Sequence, residues 1–147
     1  MELIYLEYEI YKRQYIEAKN RYNEILEEKE FLFTRTQPNA VRYDQDKVQT
    51  SNNSNVLESY VIAKEQRHIE QRLAEAKEIL ESRADFLKYI EKDLRASKHI
   101  ADIVYCCRFL DCMRVKKIMK ITNYSKSQIC RILDSIRKEL NERKTNE

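Results

Sequence analysis

The sequence predicts an all-α fold, with two long heptad-patterned helices followed by a C-terminal helix-turn-helix. Three observations carry this reading. The 147 residues include no glycine and a single proline, Pro38, while charged residues make up 36%; such a composition favours long helices with few tight turns. Apolar residues recur at alternating steps of four and three along two long stretches, which is the spacing of one helix face. Near the C-terminus, the segment Asn123 to Ile129 gathers several helix-start signals.

The first stretch, Glu2 to about Phe33, places Ile4, Tyr8, Tyr11, Tyr15, Ala18, Tyr22, Ile25 and Leu32 on one stripe, with Lys29 as the one break. This fits a coiled-coil seam, and its tyrosine hydroxyls, which need water or polar partners, put that face near a wet edge. From Thr34 to Ser54 the periodicity stops and Pro38, Asn39, Asp44, Asp46, Ser51, Asn52 and Asn53 collect, so a loop is expected at 34–54. Asp44-Gln45-Asp46 looks like the start of a calcium loop but lacks the glycine and distant glutamate that the site needs. A second helix is expected from Asn55, boxed with Glu58, to about Arg95. Its seam runs through Ile69, Leu73, Ala76, Leu80, Leu87, Ile90 and Leu94, with Arg83 the polar intruder. Two such helices can form an antiparallel hairpin or an intermolecular coiled coil, and the narrow seam favours a homo-oligomer. Residues 1–96 are thus expected as a helical stalk and 97–147 as a separate helix-turn-helix domain.

In that second part, Ser97 is expected to cap a helix that turns Ile100, Ile103, Val104, Cys107 and Leu110 inward. A short helix from about Arg114 to Thr122 offers Val115, Ile118, Met119 and Thr122 as its inner face. Ser125 and Gln128 then make a capping box flanked by Tyr124 and Ile129 as a hydrophobic staple, and Asn123 tolerates the left-handed conformation that ends the helix before it. A short helix, a tight turn and a capped helix make a helix-turn-helix. The last helix, Lys126 to about Leu140, buries Ile129, Ile132, Leu133, Ile136 and Leu140 and leaves Lys126, Ser127, Gln128, Arg131, Ser135 and Lys138 outward, residue types that reach base edges and phosphates in the major groove of DNA.

Charge points to the same end of the chain. From Met113 to Glu147 there are ten basic and four acidic residues, and Met113 to Ile132 contains six bases and no acid. A one-sign patch of this kind suits a polyanion, here double-stranded DNA. Arg131 is the candidate for a base edge and Lys126 for a base or phosphate, while Arg114, Lys116 and Lys117 are placed to hold the phosphate backbone.

Other functions are disfavoured. Without glycine there is no phosphate-cradling loop or dinucleotide fingerprint. Cys106, Cys107, Cys112 and Cys130 lack metal-ligand spacing and are expected as buried small hydrophobes, and His68 and His99 fit no ligand pattern. No nucleophile stands beside a base, so no catalytic residue, metal, cofactor or enzymatic activity is expected. Glu2, Glu7 and Glu9 break the apolar N-terminus, no segment suits a membrane span, and four cysteines without a secretion signal suggest the cytoplasm.

The run Arg108-Phe109-Leu110, with Ile118, Tyr124-Ser125, Ile129 and Arg131-Ile132, resembles the DNA-binding fourth region of sigma factors. The chain as a whole is similar to the RinA/ArpU-like phage and prophage transcription regulators, in which a coiled stalk, a loop and a sigma-like helix-turn-helix follow in this order. Val41 to Ser51 is similar to that family's inter-helix loop. It departs from the pattern at Met119, where alanine is usual, and at Asn123, where glycine is usual. The resemblance implies control of late phage genes in a bacterial host, through binding a promoter or operator and contacting host RNA polymerase. Two other classes share the pattern. A small-terminase-like packaging subunit also joins a helix-turn-helix to helical oligomerisation segments, and a helical protein-interaction or inhibitor module could keep the motif without binding DNA.

Overall fold

The computed structural model describes residues 3–36 and 53–145. They form α1 (Ile4–Thr36), α2 (Asn53–Ala96), α3 (Ile100–Tyr105), a π-helical turn (Cys106–Leu110), α4 (Val115–Thr122) and α5 (Lys126–Thr145). There is no strand among the described residues, so the fold is all-α as expected. None of these helices is long and apolar enough to cross a membrane. The expected loop is shorter at both ends, because α1 continues to Thr36 and α2 already begins at Asn53 rather than Asn55. Several Asn and Ser residues lie side by side there, and any of them suits a helix start. The Asn55–Glu58 side chains, Asp44-Gln45-Asp46 and the family-like loop at 41–51 lie outside the described residues.

The chain divides into two compact units, one made of Ile16–Ser82 and the other of Met1–Tyr15 with Arg83–Glu147. In the first, α1 and α2 pair antiparallel around buried Ile25, Ile69 and Ala76, with Tyr22, Leu32 and Leu73 packed against them. Arg72 reaches Glu28 at 3.1 Å and Lys29 reaches Glu70 at 3.8 Å, so later α1 residues meet earlier α2 residues. Of the two arrangements expected, the hairpin is therefore formed within the chain. Exposed ion pairs contribute only about 0–1 kcal/mol each, so the apolar seam holds this pairing and the charges mark its register.

The other unit shows the same antiparallel sense: Tyr11 packs edge-on to Phe86 with centroids 4.5 Å apart, and Arg83, the polar intruder in the seam, donates to Gln14 Oε1 at 2.6 Å. Its core brings the start of α1 (Tyr5, Tyr8), the end of α2 (Ile90, Leu94), α3 (Val104, Tyr105), α4 (Ile118) and α5 (Ile129, Leu133, Ile136) into one cluster. The compact unit that holds the C-terminal helices therefore also takes in the start of α1 and the end of α2, across the boundary expected at residues 96 and 97. Tyr5 lies outside the predicted stripe yet is 1% exposed and stacks on Tyr105 at 5.2 Å. Here α1 is covered by helices from the C-terminal part as well as by α2, so it buries a wider face than a two-helix seam would.

The start of α3 also differs from expectation. His99 is its N-cap, with Nδ1 accepting from the Ala101 amide at 3.4 Å, and Ser97 instead donates its hydroxyl to Asp102 Oδ2 at 2.6 Å. Asp102, 1% exposed, uses its other oxygen to accept from the Tyr5 amide at 3.1 Å. The first-turn amides of a helix lack intrahelical partners, so this carboxylate caps α1 from a distant segment.

Candidate nucleic-acid interface

Local stereochemistry builds the turn. α4 ends at Asn123, in the left-handed region at φ 59° and ψ 24°, with its amide donating to the Met119 carbonyl at 2.9 Å. Asparagine occupies that region at less cost than most residues, so the place where the resembled family has glycine is filled without losing the turn. Two residues later the capping box closes. The Gln128 amide donates to Ser125 Oγ at 3.3 Å, and the Ser125 amide donates to Gln128 Oε1 at 2.9 Å. Behind the turn, Ile118 and Ile129 are both fully buried, and α4 packs on α5. Only half of the expected staple is buried, because Tyr124 remains 38% exposed.

All nine residues expected to contact DNA (Arg114, Lys116, Lys117, Lys126, Ser127, Gln128, Arg131, Ser135 and Lys138) are exposed. The structure sorts them into two groups. Arg114 is the N-cap residue of α4, and with Lys116, Lys117 and Lys120 it lines an open groove beside Asp111, Cys112 and Met113. A second groove continues from Lys116 and Lys120 past Met119 and Tyr124 to Ser125, at the start of α5. Lys120, outside the expected set, therefore belongs with the site. Its one-turn spacing from Lys116 on the same helix was the sequence signal for it.

The charges are deployed differently along α5. The six bases between Met113 and Ile132 make no ion pair among the described residues. Beyond them, Arg137 pairs with Asp134 at 3.4 Å, Lys138 with Glu142 at 3.8 Å, and Ser135 donates to Glu139 at 3.4 Å. Ser135 and Lys138 are thus engaged within their own helix, by acids of a kind that α5 lacks before Asp134. The nearest acid before the basic run, Asp111, is held by Arg95 at 3.1 Å, and Arg95 also bonds Glu91 at 3.0 Å. Gln128 commits Oε1 to the cap, whereas its side-chain nitrogen makes no hydrogen bond among the described residues. It keeps donors for a ligand and has lost its acceptor.

The cysteines depart from the expectation of uniform burial. Cys106 and Cys107, in the π-helical turn, are buried, Cys130 is half-buried and Cys112 is exposed. Cys112 adopts φ 51°, where the chain leaves the π turn, and Arg108 spans that exit by donating to the Met113 carbonyl at 3.0 Å. No family model, curated protein or solved structure matches the chain.

Proposed function

We propose that this chain is a phage-type transcription regulator that binds duplex DNA at a promoter or operator through α4 and α5 and oligomerises through its N-terminal helices. The observation that supports DNA as ligand is the set of six bases, with no acid among them, on the surface of a capped helix-turn-helix, in a chain whose other 22 bases are outnumbered by its 25 acids. In this reading the N-terminal half of α5 enters the major groove, where a helix fits. Arg131 forms the paired hydrogen bonds that arginine makes with guanine, and Gln128 donates from its amide nitrogen. Arg114, Lys116, Lys117 and Lys120 grip phosphates, which orients the protein without reading sequence. The regulatory role and a contact with host RNA polymerase rest on the family resemblance.

The test is selection of fragments from the source genome by the purified protein, followed by titration at several salt concentrations. Each neutralised phosphate contributes about −0.9 to the slope of log affinity against log salt, so about four to six contacts give a slope of roughly −4 to −5. Arg131→Ala should abolish preference for the selected duplex, costing about 1–3 kcal/mol of discrimination, while helicity by circular dichroism is unchanged. Salt-independent binding, or none, would remove DNA as the ligand. A ring of about eight subunits by light scattering would transfer the protein to DNA packaging.

A further inference from the structure

Tyr5 is bound at both ends to the part of the chain that ends in α5. Its amide donates to buried Asp102 at 3.1 Å, its ring is stacked on Tyr105 with planes 19° apart, and its hydroxyl donates to Glu139 of α5. Glu139 accepts from Ser135 as well, one turn back toward the reading end. Asp102 is itself fixed by the Ser97 hydroxyl. A side-chain hydrogen bond from α1, whose own residue is held by Asp102 of α3, therefore ties α5 at Glu139, in addition to the apolar packing of Ile129, Leu133 and Ile136.

From these contacts we infer that Tyr5, anchored by Asp102 and bonded to Glu139, is a positioning residue for sequence reading by α5, so that the first turn of α1 is a working part of the DNA-binding head. The inference rests on the DNA-binding reading above. A side-chain tip lies about 5–6 Å from a helix axis, so a rotation of about 20° moves it by about 2 Å. That displacement exceeds what a base-edge hydrogen bond tolerates, whereas long basic side chains can follow a phosphate. Loss of the Tyr5 hydroxyl thus separates selectivity from general affinity. A residue that served only stability would not do so at temperatures where the fold is intact.

The experiment compares wild type, Tyr5→Phe, Glu139→Ala and Glu139→Gln, well below their melting temperatures. Fluorescence anisotropy is measured with a duplex selected from the source genome and with a scrambled duplex, and amide hydrogen exchange is followed in α5. Tyr5→Phe and Glu139→Ala should each weaken the selected duplex about tenfold, the scale of one hydrogen bond to a charged group, and leave the scrambled one unchanged. Glu139→Gln keeps an acceptor and should restore most of the selectivity. Exchange at residues 129–136 should quicken in the first two variants. Unaltered selectivity and exchange in Tyr5→Phe overturn the inference, as does an equal loss on both duplexes. If wild type prefers no duplex, the DNA-binding reading fails, and the exchange data alone decide whether Tyr5 positions α5.

Discussion

Cys106 and Cys112 stand six positions apart and inhabit opposite environments. Burial pushes the Cys106 thiol up to about 11 and raises that of Cys107, and nearby acids add to the effect against the opposing charge of Arg95. The thiolate is the reactive form, so both are protected twice, by access and by protonation. Cys112 is exposed. At about pH 8 it should react with a thiol reagent at least about a hundredfold faster than Cys106 or Cys107, which should label at comparable rates only in denaturant. Peptide mass spectrometry of timed samples reads this directly, and equal rates in the folded protein would mean that the π-helical turn is not packed. The sequence placed Cys107 on an inner face but gave no way to rank the other three, because burial at this turn depends on how the helices around it pack. By contrast, Ser125 and Gln128 were legible as a pair, since their bonds close within three residues.

At the level of elements, the junction between α4 and α5 rests on two residues whose contributions can be measured separately. Ser125→Ala removes the hydroxyl that accepts from the Gln128 amide and should destabilise the fold by about 1 kcal/mol. Asn123→Ala puts an ordinary side chain into the left-handed region and should cost about 1 kcal/mol, whereas Asn123→Gly should be neutral or slightly stabilising. Urea unfolding of the three variants checks the order; an Asn123→Gly variant weaker than Asn123→Ala would contradict the left-handed cap. The start of α3 shows why a neighbouring cap was misassigned. Ser97 has the chemistry of a cap, but its hydroxyl is taken by Asp102, which in turn serves Tyr5 ninety-seven positions earlier. Local pattern ranks candidate caps, and only the tertiary fold reveals which competing partner takes the hydroxyl.

For the molecule as a whole, titration of buried hydroxyls and a buried thiol ties stability to alkaline pH. Burial first, then the carboxylate of Glu139 for Tyr5 and of Glu9 for Tyr105, raise these phenols above the ordinary tyrosine value of 10.0, and burial also raises Tyr8. The folded state therefore holds protons that the unfolded chain releases. Their contribution is fully present below the unfolded values, 9.0 for Cys106 and 10.0 for the phenols, and is lost as pH rises toward the folded ones. The urea midpoint should accordingly fall between about pH 8 and pH 10.5, and fall less in Tyr105→Phe, which cannot ionise there. An equal fall in both proteins would show that Tyr105 is not the group responsible. The long helices, their stripes and the position of the turn were all readable from periodicity and caps. What periodicity could not decide was the partner of each stripe, since a seam has the same spacing within one chain or between two, and the core shared by Tyr5, Leu94 and Tyr105 joins positions that no local pattern relates.

The π-helical turn also fixes the phase of the chain. Between Cys106 and Leu110 the backbone closes wider rings than an α-helix, with the Asp111 amide reaching the Cys106 carbonyl at 2.9 Å and the Met113 amide reaching the Cys107 carbonyl at 2.8 Å. One residue more or less in a helix changes the heading of everything after it by about 100°. A single deletion in this segment would restore an α-helical count and turn the exit at Asp111 away from Arg95, redirecting α4 as well as disturbing the core around Cys106 and Cys107. Substitutions here can be absorbed side chain by side chain, whereas a change in length cannot, so the count of residues in this turn is itself a constraint on the aim of the C-terminal helices.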